Sequence, residues 1–420
     1  GSRGFIKSLN QYYDNSAYYL NDVLKAETNL KDMITMADGN IYVIPRYQKI
    51  LQNELGYRMW IYKPWLEKLN LSEPKTLDEF YNVLKAFKEK DPNGNGLADE
   101  IPFIGATSGG ENWFCDFIAA AFQPIDIQSN YLYPENGKIK AAYVEPEYKE
   151  ALKYLNKLCT EGLLSPSSFT SDGEQTRQTI QNPSGVQVGC FTSMAPTYLI
   201  NATDRAEGYD ILAPLTQDNG TGYAVYGASI PTNSFFITKN CQYPEAAFRL
   251  GDIMMSEEMS IWNRFGKKGT DWVEPEEGDH GMFESMGYKA KIKPILAWGS
   301  PQNSHWQQGA PAYRGYELAC ATVDSGSNIY ETRIAEHLQS YLDKKPKEYI
   351  TKIIYTEDEI NAINEIQQNI TSYRKDSVAR FIIGDWDIES GWEDYLKEMK
   401  AIGVDEMLDI VQKAYDRCNK

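Results

Sequence analysis

The ten residues Asp91-Pro92-Asn93-Gly94-Asn95-Gly96-Leu97-Ala98-Asp99-Glu100 stand between a helical pattern and an extended one. Upstream, Thr76 and Glu79 have the spacing of a capping box, in which side chain and backbone at a helix start satisfy each other's open hydrogen bonds. Leu77, Phe80, Leu84 and Phe87 then recur at helical spacing and share one face. Downstream, Ile101-Pro102-Phe103-Ile104 is a short apolar run of strand character. A helix handed to a strand through a loop is the unit of an α/β fold, and the same alternation recurs along the chain.

Working outward, Gly39-Asn40 is a turn feeding a strand over Ile41-Tyr42-Val43-Ile44-Pro45. A helix over 146–161 starts at Pro146, turns Tyr148, Leu152, Leu155 and Leu158 inward, and stops at Gly162. Strand-like runs follow at 185–191, 209–212 and 235–238, then a helix from Pro244 through Ala247, Leu250 and Met254. The last third is helical. Thr356 and Glu359 open a helix carrying Ile360, Ile363, Ile366 and Ile370; Ser390-Gly391-Trp392-Glu393 opens another; Gly403 separates it from a helix over 405–417. Trp65 and Trp392 fall on apolar helix faces and belong to the core.

The chain of 420 residues exceeds the size at which one hydrophobic core stops growing, so two lobes are expected. No apolar run reaches the roughly 18 residues that suggest a membrane span. With 42 basic against 59 acidic residues the net charge is −17, which excludes nucleic acid and anionic membrane surfaces as partners. Tyr (29) and Trp (9) are abundant, and each offers an apolar face with one polar handle, suited to core packing or to sugar stacking. Cys115, Cys159, Cys190, Cys241, Cys320 and Cys418 show no paired spacing, which speaks against a disulfide framework or a zinc site. The opening Gly1-Ser2 leads directly to Phe5 without an export signal, and export signals are removed from mature chains.

The loop itself has metal chemistry. Calcium is a hard cation that takes six to eight oxygens. Asp91, Asn93 and Asn95 occupy the first, third and fifth positions of an EF-hand-type loop, Gly96 the sixth, and Leu97 offers its carbonyl at the seventh. The twelfth position, ordinarily Glu, is Pro102, so Asp99 and Glu100 would close the loop early. The plainer reading is a Pro/Gly/Asn-rich turn. The spacing predicts a structural Ca2+.

Four segments together resemble the family 1 extracellular solute-binding proteins of ABC importers, and within them the long calcium-containing lipoproteins similar to alginate-binding proteins. They are Asp38-Gly39-Asn40-Ile41-Tyr42-Val43-Ile44-Pro45-Arg46; the stretch from Tyr57 to Leu71 with Pro74-Lys75-Thr76-Leu77; the Asp91–Glu100 loop; and Tyr243-Pro244-Glu245-Ala246-Ala247-Phe248-Arg249 with Gly266, Gly269, Asp271 and Trp272. The resemblance implies a two-lobed periplasmic-binding-protein-like (class II) fold, with a hinge, an interlobe cleft and a helical C-terminal region. It implies an N-lobe over 1–107 that includes the 91–100 loop, a C-lobe over 108–227, an N-lobe return over 228–300, and C-lobe with C-terminal helices over 301–420. Crossings would fall near 105–110, 226–231 and 301–309. Relatives carry roughly a hundred further residues before this point, with an N-terminal lipid anchor on the outer face of the cytoplasmic membrane (or a periplasmic location).

A receptor of this kind captures an oligosaccharide and hands it to ABC permease subunits, acting as a monomer. The resemblance implies that Glu111 accepts sugar hydroxyls and Trp113 is a stacking platform; Trp113 reads equally as a core residue of the following helix. Tyr198 lies where relatives place a further aromatic, with packing as its other reading. Trp298, Trp306 and Tyr313 sit in or beside a Gly/Ser/Asn-rich loop suited to ligand contact. Arg46 and Trp60 belong to cleft-facing segments in relatives, and Arg46 with Arg314 could clamp a uronate carboxylate. A glycan-adhesion module and a glycoside hydrolase are the alternatives. A hydrolase needs a carboxylate pair at fixed separation, and no motif singles one out. The three histidines, His280, His305 and His337, have no metal-ligand spacing.

Overall fold

The computed structural model describes residues 4–194, 207–295, 309–323 and 329–418. Two hydrophobic cores organise them. The first is built around strand β1 (Ile44–Gln48), the centre of a three-stranded sheet whose neighbours are β8 (Thr232–Phe235), antiparallel, and β11 (Ala312–Arg314), parallel. Helices α1 (Asn10–Asn15), α2 (Tyr19–Ala26), α3 (Leu30–Ile34) and α10 (Pro244–Met254) turn Tyr13, Leu20, Val23, Leu30, Ile34 and Phe248 into this core. Asp252 of α10 fixes the arrangement: its carboxylate accepts from the backbone N–H groups of Tyr18, Tyr19 and Leu20 at 2.8–3.2 Å. Those N–H groups are open at the start of α2, and a carboxylate there also meets the positive end of the helix.

The second core surrounds a four-stranded sheet of order β3-β6-β2-β7. Its strands are β2 (Arg58–Tyr62), β3 (Ile101–Ile104), β6 (Val188–Ser193) and β7 (Tyr209–Leu212). Strand β2 pairs antiparallel with β6 and β7, and β3 runs parallel to β6. Strand β6 is buried throughout, as expected for a sheet covered on both faces. Helix α6 (Leu77–Glu89) has the capping box, with Thr76 and Glu79 each bonding the other's backbone, and it buries Leu77, Phe80, Leu84 and Phe87. Gly189 lets β6 pass close beneath it: a Cβ there would stand 2.6 Å from the Phe87 ring and 2.8 Å from the Pro102 carbonyl. Helix α8 (Pro146–Thr160) packs against the 27-residue helix α14 (Glu357–Ile383), beside α15 (Ile388–Ile402) and α16 (Val404–Cys418). Trp65 and Trp392 are buried as read from their helix faces. The expected strand at 235–238 begins earlier, at Thr232, because β8 takes its register from β1.

The sheets divide the chain differently from the expected boundaries. The chain leaves the first sheet after Gln48 and enters the second core at Leu51, so the 1–107 segment contributes to both units. The 91–100 loop therefore lies in the second unit, between α6 and β3. Residues after β3 do not cross over: Gly105 N–H donates to Ser168 Oγ, and Thr107 N–H to the Ser171 carbonyl. The physical reason is that β3 is fixed to β6 by parallel pairing, and Phe114 fills the space against Gly105. The chain returns to the first sheet between Ala228 and Thr232, and leaves it again after Arg314 rather than at 301.

All six cysteines are free thiols. Among the described residues no helix is long and apolar enough to cross a membrane. Replacing Asp252 by Ala would leave three buried or half-buried N–H groups without their acceptor. A loss of about 1–3 kcal/mol in unfolding free energy is expected from urea titration; an unchanged midpoint would show that Asp252 does not hold α2.

Candidate ligand site at the junction of the two units

The connection from β1 to β2 is short, and helix α4 (Leu51–Glu54) lies within it. Glu54 is only 4% exposed. Its Oε2 accepts from the Tyr226 hydroxyl at 3.1 Å, and its backbone carbonyl accepts from Gly227 N–H at 3.1 Å. The first connection is thereby tied to the second at the point where 226–231 passes between the units. Burial and the Glu54 carboxylate raise the Tyr226 phenol well above its ordinary range, so it stays a donor. The Lys345 ammonium lies 4.4 Å from the Tyr226 ring centre and 4.3 Å from that of Tyr349, a cation–π arrangement.

The third connection joins the same cluster. Lys49 N–H donates to the Arg314 carbonyl, and its ammonium pairs with Glu27 at 2.6 Å. Tyr313 donates its hydroxyl to the other Glu27 oxygen at 2.8 Å, and burial followed by Glu27 raises its phenol. Strand β11 then runs into α12 (Tyr316–Ala319), which places the Tyr316 ring 5.4 Å from the Lys49 ammonium.

The expected ligand residues separate into three groups. Arg46, Tyr313 and Arg314 come together on β1 and β11, where Arg46 pairs with Ala312 and Gln48 with Arg314. Trp113 stands in a 3-10 turn over Gly110–Trp113 and is half-buried; its ring meets Tyr57, at the end of the first connection, edge-on at 4.6 Å. Glu111 shares that turn. Trp60 departs from expectation: it is 0% exposed and donates its indole N–H to the Ser193 carbonyl at 2.9 Å. Its place in the centre of the four-stranded sheet makes it a core residue. Tyr198, Trp298 and Trp306 lie outside the described residues.

Several buried polar atoms near these segments have no hydrogen-bond partner: Gln52 Oε1 in α4, Asn112 Oδ1 beside Trp113, and Asn263 Oδ1 and Arg314 Nε in the first unit. Others of the kind lie elsewhere, at Glu100, Arg177, Thr322, Arg333 and Ser377. Buried polar groups are nearly always paired, so each is a place that a further partner could complete. The want of a partner at the first four was not legible in sequence. Asn112 is next to a predicted residue, whereas Gln52 and Asn263 sit in ordinary helical segments.

The 91–100 loop curls its polar groups inward. Asp91, at φ 43°, accepts from Gly94 and Asn95 N–H on Oδ1 and from Gly96 N–H on Oδ2. Gly94 and Gly96 both take φ 77°, which glycine adopts without strain. The Asn93 and Asn95 amides both donate to Asp99, and the Asn93 bond leads in holding its carboxyl below the usual range. Glu100 Oε2 is buried with no partner, and burial raises that carboxyl. Among the described residues no three His, Cys, Asp or Glu side chains converge as a metal group. The loop's donor set is instead mixed carboxylate, amide and carbonyl oxygen, which suits a hard cation.

Over residues 8–260 the chain matches the family model for bacterial extracellular solute-binding proteins. The fructooligosaccharide ABC transporter substrate-binding protein FusA of Streptococcus pneumoniae is 26% identical, over 99% of this chain and 76% of its own. The solved structure of a FusA EF-hand mutant with fructo-nystose has a TM-score of 0.79 at 23% identity, covering 100% of this chain and 85% of that one. Lipoprotein LipO of Bacillus subtilis is 27% identical over 99% of this chain and 79% of its own. The alginate-binding protein AlgQ2, solved without calcium ion, has a TM-score of 0.70 at 20% identity, covering 99% of this chain and 83% of that one. The fold shared with these structures is the two-lobed α/β fold.

Changing Tyr226 to Phe would leave the buried Glu54 carboxylate without its hydroxyl donor. Unfolding free energy should fall by about 1–3 kcal/mol. An unchanged thermal midpoint would mean that this bond does not fasten the connections.

Proposed function

Because the chain belongs to the bacterial extracellular solute-binding proteins, we propose that it captures an oligosaccharide between its two lobes and delivers it to the permease subunits of an ABC importer. The observation that carries this reading is the Tyr57–Trp113 aromatic pair at the end of the first connection, together with the buried polar atoms that lack partners at Gln52 Oε1 in α4, Asn112 Oδ1 beside Trp113, Asn263 Oδ1 and Arg314 Nε. Sugars carry apolar CH faces and hydroxyl edges. A junction offering an aromatic face and open acceptors and donors meets both needs. The relative FusA is named for a fructooligosaccharide, which agrees with this ligand class.

In this reading the two units are the lobes, and the three connections at 49–57, 228–231 and 315 form the hinge. Glu54 and Tyr226 keep the connections in register, while closure brings the Trp113 turn toward β1 and β11. The work required is binding, orientation and exclusion of water, with no bond broken. A lipid anchor outside this stretch would hold the protein at the outer face of the membrane, as the name of LipO suggests for that relative.

Calcium fits the 91–100 loop. The side chains of Asp91, Asn93, Asn95, Asp99 and Glu100 and the Leu97 carbonyl would hold it, with Glu100 Oε2 as the oxygen now lacking a partner. A bound cation would supply positive charge to the loop's carboxylates and fasten the end of α6 to the start of β3. It would act on stability, at a distance from the lobe junction.

Calorimetry with a panel of fructo-, manno-, galacto- and uronate oligosaccharides tests the receptor reading, with product analysis run alongside. Binding without shortening of the sugar is expected; release of shortened products would identify a hydrolase instead. Trp113→Ala should weaken binding at least tenfold, about 1.4 kcal/mol, and unchanged affinity would remove Trp113 from the site. For the loop, a chelator should lower the melting temperature and added Ca2+ should restore it. Ligand at a hundred times its dissociation constant stabilises by about 2.7 kcal/mol. A melting curve indifferent to both would refute the calcium assignment.

A further inference from the structure

A cavity of about 360 Å³ lies at the second connection and is lined from both units. Met33 of α3 lines it from the first unit and residues 350–355 from the second, with Gln128, Ile230 and Pro231 among the rest of the wall. Each side is fixed to its own core. Leu30 and Ile34 bury α3 in the first core. Residues 351–356 have no regular secondary structure, yet Ile350 is buried in the second core and Arg417 of α16 donates to the Ile354 carbonyl at 2.7 Å. Close-packed cores yield little, so the width of the gap follows the angle between the units.

The cavity and the Trp113 turn lie on opposite sides of the connections. Tyr57 ends the first connection, and its ring meets Trp113 edge-on at 4.6 Å. The Tyr57 hydroxyl is bonded by the Gln128 side chain, which lines the cavity. A Cβ on Gly227, in the second connection, would stand 2.8 Å from that same side chain. Trp113, Tyr57 and Gln128 therefore follow one another from the candidate site, through the connections, to the cavity. Two rigid bodies turning about connections placed between two faces widen one gap as they narrow the other. Widening this one brings more of Met33, Ile230 and Ile353 into water, which costs free energy and holds the free protein open. Ile230 is already 54% exposed.

We propose that this cavity is the counter-face of the hinge, and that Met33 and Ile353 are positioning residues for ligand capture: the gap between them widens as the lobes close, and the cost of widening it sets the affinity without either side chain touching the sugar. The inference rests on the reading of the chain as a receptor whose lobes close on an oligosaccharide. A ligand that binds only the closed form loses apparent affinity in proportion to how rarely the free protein visits that form. Residues behind the hinge thus act on every glycan alike, whereas residues of the candidate site discriminate among them.

The test uses the full chain with Met33→Cys and Ile353→Cys, after Cys115→Ser, Cys241→Ser and Cys418→Ser have removed the three half-buried thiols. Spin labels at positions 33 and 353, read by pulsed electron paramagnetic resonance, report the gap, and calorimetry with the glycan panel reports affinity. The distance between the labels should lengthen as the tightest-binding glycan reaches saturation. Joining the two positions with a short bis-maleimide should lower the affinity for that glycan by about tenfold or more. Either position substituted alone, with the linker attached at one end, should keep the affinity of the unlinked chain. A distance that is unchanged or shorter in the saturated protein overturns the counter-face and leaves the receptor. So does a linked protein that binds as tightly as the unlinked one, or a pair of positions that the linker fails to join. If no glycan of the panel binds, the receptor reading falls and this inference falls with it.

Discussion

The pairing of Glu54 with Tyr226 is the contact on which the rest of the molecule depends. A carboxylate that is 4% exposed has given up its water, and it is tolerated there because a hydroxyl and neighbouring groups replace that water. The contact joins two stretches that are 172 positions apart in sequence, at the place where both pass between the two cores. Without it the two sheets would be joined by independent strands of chain, each free to set its own angle. With it, and with Lys345 set over Tyr226 and Tyr349, the connections are fastened to one another.

The polar groups that lack partners lie on both sides of these connections, and under the proposed receptor function each would carry a desolvation cost until a ligand completes it. Gln52 and Asn112 stand on the side of the second core, Asn263 and Arg314 on the side of the first. The aromatic pair Tyr57–Trp113 lies between a connection and a wall of the second lobe. The 91–100 loop belongs to a different physical problem. It lies between α6 and β3, where it secures an element whose strand supports the four-stranded sheet.

Local structure was readable in the sequence where one interaction dominates. Thr76 with Glu79, and Thr356 with Glu359, each mark a helix start, and both capping boxes form. Leu77, Phe80, Leu84 and Phe87 are buried as their spacing requires, and the helix from Pro244 to Met254 ends where its pattern ends. The lobe boundary was not readable, because it depends on which strands pair. Residues 44–48 and 58–62 both form five-residue strands, yet one pairs with β8 and β11 and the other with β6 and β7. Trp60 misled for the same reason: only its place at the centre of a covered sheet distinguishes it from a ligand platform.

Small-angle X-ray scattering of the full chain, titrated with the tightest-binding glycan from the calorimetric panel, addresses the receptor account most directly. The account predicts that the radius of gyration falls in step with calorimetric saturation, as the lobes close about the connections at 49–57, 228–231 and 315. A saturated complex with the scattering curve of the free protein would contradict it, because the glycan would then be held on one lobe and the junction would not be a hinge.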